Sequence, residues 1–130
     1  CPPCVGAIPK MNQLHREFAK DATFVSVTYE PDPHVRQFLK EHPIDGDVGI
    51  DDALATFKGF QAWGIPVVYL FDRQGKLVSA VHPDNLTSAV ISAVARGEVP
   101  DVKQATPWSD PHGAEEYFRK NQQELREKYR

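Results

Sequence analysis

The only two cysteines of this chain stand at positions 1 and 4, with two prolines between them. That spacing limits what can hold the fold together. One bridge closing so short a loop removes little entropy from the unfolded chain, and secreted scaffolds built on disulfides carry several. The fold must therefore rest on a hydrophobic core. With 130 residues, 41% hydrophobic and 25% charged, the chain has an ordinary globular composition. At about 150 residues per domain its length predicts one domain, large enough to bury a core without staples.

Composition also excludes partners. Lys and Arg number 15 against 18 Asp and Glu, a net charge of −3, which offers no basic patch to nucleic acid. The longest apolar run, residues 65–71, is far too short to span a bilayer. No charged-then-apolar leader opens the chain. The aromatic and aliphatic content argues against disorder.

Hydrophobic spacing predicts a helix over 5–20, where Val5, Ile8, Met11, Leu14 and Phe18 recur near the helical period. Pro9 falls inside it and is expected to bend it or shift its first turn. Residues 23–29 are β-branched and aromatic and read as a strand. Asp32 and Pro33 open a second helix, with Val35, Phe38, Leu39 and His42 on one face. Asp51 and Asp52 open a short one carrying Leu54 and Phe57, with Gly59 as its stop. Residues 67–81 read as a hairpin, with a turn at 72–75. Residues 86–95 form a core helix capped by Gly97. A strand, a helix and then another strand imply a right-handed crossover in an α/β sheet. The domain spans 1–97. Pro100, Pro107 and Pro111 mark 98–112 as a linker. Residues 113–130 form a charged helix whose stripe of Ala114, Phe118, Leu125 and Tyr129 is narrow, the pattern of a mostly solvated tail, or else of a helix lying on the domain or binding a partner.

The cysteine pair is present for chemistry, or by chance, rather than for stapling. One reading is half a zinc site, but zinc takes about four ligands. His15, His34, His42, His82 and His112 form no close pair, and no second Cys-x-x-Cys exists. No metal is expected, and the histidines read as surface or loop residues without convergent partners. The other reading is a redox-active dithiol.

The chain resembles the thioredoxin superfamily, in particular its TlpA/ResA-like branch of thiol-disulfide oxidoreductases. The residues carrying the resemblance are CPPC at 1–4, Pro9, WGIP at 63–66 and the VVYLFDRQGKLV hairpin. It covers about residues 1–97 and implies a thioredoxin-like α/β fold. In that fold a mixed sheet is flanked by helices, here with a C-terminal helical extension. It also implies that the motif starts a helix and that the proline after Gly-Ile is cis and faces the disulfide.

On that resemblance Cys1 is the attacking thiol and Cys4, one turn inside, the resolving one. At a helix N-terminus, unpaired N–H groups and the positive dipole end are expected to lower the Cys1 pKa from about 8.5. Ile65 and Pro66 are expected to bind substrate, the Ile65 backbone pairing with an extended segment. Trp63 either lines the substrate surface or fills the core. The resemblance implies protein thiols and disulfides as substrates, an upstream thiol-disulfide electron donor and no cofactor. It also implies an extracytoplasmic setting, periplasmic or membrane-anchored facing the periplasm, with any membrane tether outside this chain. Reductive roles there include cytochrome c maturation.

Two departures bear on these expectations. The family places a strand immediately before the motif, which here would precede Cys1. The expectation is a longer parent protein, and a gap between the strands at 23–29 and 67–71. Many relatives also carry Glu three residues after the second cysteine, where this chain has Ala7. Three rival readings remain: a non-catalytic binding module using 113–130, a Cys-x-x-Cys metal site, and a peroxide reductase. The last would need a lone peroxidatic cysteine in its own pocket.

Overall fold

Pro2 and Pro3 stand where a helix has no use for its first N–H groups, and helix α1 (Pro2–Phe18) starts there, three residues earlier than periodicity alone predicts. The computed structural model of the chain describes residues 1–107 and 109–130; residue 108, within the expected linker, lies outside the described residues. The chain divides into two compact units, each made of two segments. The first comprises Cys1–Thr23 and Ile65–Thr106, the second Phe24–Gly64 and Pro107–Arg130. The elements are both parallel and antiparallel, as expected for an α/β fold with mixed strand pairing.

The first unit holds α1, strands β3 (Val68–Phe71) and β4 (Leu77–Val81), a 3-10 turn (Pro83–Asn85) and helix α4 (Ser88–Ala95). β3 and β4 pair antiparallel, Val68 opposite Val81. The expected turn joins them. The Asp72 carboxylate accepts the Gln74 and Lys76 amides, both at 2.9 Å, and Gly75 takes φ +81°, open to glycine at no steric cost. Thr87 caps α4 by accepting the Val90 amide. Gly97, at φ +79°, ends the helix as expected. Its amide reaches Val94 O and that of Glu98 reaches Ala93 O, a Schellman cap. Val81, Leu86, Val90, Ile91 and Val94 make the core with Leu14 and Phe18 of α1.

Part of the expected linker is structured. The Gln104 side chain accepts the Ala80 amide at 3.0 Å and donates to Ser79 Oγ at 2.6 Å. The Ala105 amide donates to Ala80 O at 2.7 Å. Residues 104 and 105 thus satisfy β4 at Ala80 on the edge that β3 leaves free, and Pro100 is buried.

In the second unit, β1 (Val25–Thr28) pairs parallel with β2 (Asp47–Ile50) through helix α2 (Asp32–Glu41). β2 escapes sequence reading because its four residues, DVGI, combine Asp and Gly, poor strand formers; its pairing with β1 makes it a strand. Val25 and Val27 of β1 remain 58% and 42% exposed. Asp32 lies in the first turn of α2, its carboxylate held by Arg36 one turn on. Helix α3 (Ala55–Phe60) follows; Asp51 satisfies its start from a distance, accepting the Phe57 amide at 2.9 Å. α3 runs through Gly59 and stops at Gln61, at φ +53°.

Helix α5 (Pro111–Lys128) is built into this unit. Asp110 caps it by accepting the Gly113 amide. The solvated-tail reading is corrected here in favour of a helix lying on its unit: Ala114, Phe118 and Gln122 are 2–3% exposed. The Phe118 ring packs edge-on against Tyr29 at 4.5 Å and lies 5.7 Å from both Phe57 and Trp63. A narrow stripe suffices because Ala114 and the large Phe118 ring fill deep positions, while Leu125 is half-buried and Tyr129 stays exposed.

Candidate active site

At the start of α1 the backbone decides what reaches the sulfurs. Pro2 and Pro3 have no N–H to give. The next two amides, of Cys4 and Val5, both donate to Cys1 O at 3.1 Å. The expectation of unpaired N–H groups aimed at the thiol is therefore corrected: two are removed chemically and two are taken by the Cys1 carbonyl. The positive end of the helix dipole remains.

Cys1 and Cys4 are joined as a disulfide, their Cα atoms 5.2 Å apart. Cys1 is exposed and Cys4 half-buried, one turn further in. Ala7, where relatives carry Glu, is half-buried on the same helix. The Ile65–Pro66 peptide is cis. Both residues are half-buried and lead into β3, in the same unit as the cysteines. Trp63 belongs to the second unit, where it is 3% exposed against Phe57 and Phe118, the position of a core tryptophan. Among the described residues no three His, Cys, Asp or Glu side chains gather as a metal site. No helix of the described residues is long and apolar enough to cross a membrane.

Two residues near this region escaped sequence reasoning. Lys10, two turns into α1, donates to Pro83 O at 2.8 Å and Asp84 O at 3.2 Å. His82 accepts the Asp84 amide on Nδ1 at 3.0 Å, capping the 3-10 turn. A polar residue followed by Pro and Asp was the available signal. Elsewhere His34 does have partners: Nε2 lies 3.0 Å from Glu30 and Nδ1 3.3 Å from Tyr129 Oη.

Residues 1–80 match the model of the AhpC/TSA family. The chain belongs to that family. Thiol-disulfide oxidoreductase ResA of Bacillus thuringiensis subsp. konkukian is 25% identical to this AhpC/TSA chain over 83 residues, 62% of the chain and 48% of the relative. ResA of Halalkalibacterium halodurans is 24% identical over 93 residues, 70% of the chain and 52% of the relative. The chain thus spans about half the length of the curated relatives it matches. A crystal structure described as thiol:disulfide interchange protein DsbE from Chlorobium tepidum superposes with a TM-score of 0.59 at 24% identity. It covers 74% of this chain and 68% of its own. The fold is thioredoxin-like, and the resemblance to the ResA-like branch holds.

Proposed function

We propose that this AhpC/TSA-family chain is a thiol-disulfide oxidoreductase that exchanges the Cys1/Cys4 pair with protein substrates, acting as a reductase in an extracytoplasmic compartment. The observation that carries the reading is the disulfide at the start of α1, with Cys1 exposed and Cys4 behind it. The ResA relatives share the activity class by name.

In the reduced state the Cys1 thiolate attacks one sulfur of a substrate disulfide. The substrate S–S bond breaks, a Cys1–substrate bond forms, and the departing substrate thiolate takes a proton. The Cys4 thiolate then attacks Cys1 Sγ, closing the Cys1–Cys4 bond and releasing the second substrate thiol. The substrate gains two electrons and the chain loses them; a second dithiol protein restores the pair by the reverse exchange. The helix dipole favours the thiolate at Cys1. Ile65 and Pro66 supply the backbone on which an extended substrate segment is held. Cytochrome c maturation is the kind of reductive task this setting offers.

The test is the equilibrium between dithiol and disulfide in defined thiol buffers, read by alkylation and mass. A single two-electron transition toward the reducing end of the roughly −270 to −120 mV spanned by this fold supports the reductase direction. A transition at the oxidising end reverses the direction. Absence of any transition overturns the reading.

A further inference from the structure

Helix α5 lies outside residues 1–80, the span that matches the AhpC/TSA family. The exchange chemistry does not use it. Yet one of its side chains packs on Trp63, the residue that opens the WGIP segment carrying Ile65 and Pro66. The Phe118 ring lies 5.7 Å from the Trp63 ring, tilted by 37°. Phe57 of α3 approaches the same indole at 6.4 Å. Trp63 and Phe118 are each 3% exposed. One neighbour of the indole is thus local in sequence, and the nearer one comes from the far end of the chain.

Trp63 is joined to Ile65 through Gly64 alone, so their Cα atoms are at most about 7 Å apart. Both ends of this short stretch are held. Upstream, the chain leaves α3 through Gln61 at φ +53°, and the Ala62 amide donates to Phe57 O at 2.8 Å. Trp63 then enters the aromatic cluster. Downstream, Val68 enters the ladder opposite Val81. The chain passes from the second unit to the first between Gly64 and Ile65, and Gly64 has no side chain to fix the backbone there. The indole is therefore the last anchor before Ile65. Protein interiors pack as densely as organic crystals, so an indole with rings on two sides has one place to sit. Thinning one side lets it move, and the backbone two residues on moves with it.

We infer that Phe118 is a positioning residue for the exchange: by packing on Trp63 it sets where the Ile65–Pro66 backbone stands, and so how well an extended substrate segment is received. The inference rests on the redox reading above. Phe118 touches no substrate; it acts through Trp63 and the covalent link that follows. It gives α5, outside the matched span, a part in substrate binding rather than in stability alone.

The test uses the full chain and compares variants on α5, each read below its melting temperature. Phe118→Leu thins the packing against Trp63 but keeps an apolar side chain. Gln122→Ala weakens the same helix through a different attachment, the bonds to Tyr29 O and Asp52 O. The first readout is the Ile65 backbone amide resonance in the oxidised, nitrogen-labelled chain. It should shift in Phe118→Leu and stay in place in Gln122→Ala. The second is kcat/KM for a disulfide-linked peptide relative to hydroxyethyl disulfide, which has no segment to lie on the Ile65–Pro66 backbone, with dithiothreitol as the electron source. That ratio should fall about five- to tenfold in Phe118→Leu, since a misplacement of about 1 Å already costs about 100-fold. It should change by less than about twofold in Gln122→Ala, a loss of stability without a change of position. Phe118→Met, closer to Phe in volume and adaptable in shape, should recover most of the loss and stands in if the Leu variant does not fold. An unmoved ratio in the Phe118 variants, or an equal fall in Gln122→Ala, would overturn the positioning role. An Ile65 resonance unmoved by both Phe118 substitutions would overturn it independently of turnover. Failure of the unaltered chain to reduce either probe would instead overturn the redox reading.

Discussion

Gln122 places its side-chain amide nitrogen 2.6 Å from the carbonyl oxygen of Tyr29. The same nitrogen reaches Asp52 O at 3.1 Å, and Gln122 is 2% exposed. One buried amide on α5 therefore satisfies the loops that follow both parallel strands. Removing it leaves the Tyr29 carbonyl without this donor, at about 1–3 kcal/mol for an unsatisfied buried group. Gln122→Ala should lower the urea midpoint accordingly. Gln122→Glu should cost more, because a carboxylate then faces two carbonyls and cannot donate. Equal midpoints for the two variants would refute this account.

Phe118 carries the apolar half of the same attachment, packed with Tyr29, Phe57 and Trp63. Phe118→Ala empties a position that is 3% exposed, and such truncations cost about 3–5 kcal/mol. That is a large share of a domain's usual stability. Tryptophan fluorescence should red-shift at lower denaturant than for the unaltered chain. Tyr117→Ala, on the exposed side of α5, should change the midpoint far less.

Burial first, then the Glu30 and Tyr117 charges, push the Tyr29 phenol up to about 12. A folded pKa above the unfolded value of about 10 makes a stability contribution that is complete below pH 10. It is lost as pH rises toward 12. Melting temperature should therefore fall over that interval. Tyr29→Phe should show a shallower alkaline slope, with a lower starting value from loss of the bond to Asn121 Oδ1. Identical slopes would remove Tyr29 as the cause.

Gln104 and Ala105 cover β4 where it would otherwise present open backbone groups at Ala80. Gln104→Ala withdraws the acceptor from the Ala80 amide and the donor from Ser79 Oγ. Hydrogen exchange at Ala80 should accelerate at least tenfold, while Val81, in the ladder with Val68, stays protected. Unfolding of the whole hairpin at the same rate would contradict a local cover.

Cys4→Ser should trap mixed disulfides formed when the Cys1 thiolate attacks a protein disulfide and releases one of its sulfurs as thiolate, visible as reducible bands on non-reducing gels. Cys1→Ser should abolish turnover and trap nothing. Recovery of trapped partners by Cys1→Ser instead would reverse the assignment of attacking and resolving sulfurs.

Local chemistry was legible in the sequence wherever a residue acts on its own neighbours. Asp72 and Gly75 make a turn in any context that lets the chain reverse, and Gly97 ends a helix because φ +79° suits it. Cys-Pro-Pro-Cys announces a reactive pair because only two residues stand between the cysteines. Tertiary structure decided what depends on distant partners. β2 is a strand because β1 lies beside it. α5 is a core helix because Tyr29, Phe57 and Trp63 receive Phe118, and Gln122 is buried because two loop carbonyls need its protons. The amides at the start of α1 were misjudged for a subtler reason: the sequence shows which N–H groups the prolines remove, but not that the Cys1 carbonyl collects those that remain. Pairings across tens of residues leave no periodic trace in composition or spacing, so they become visible only when the chain is folded.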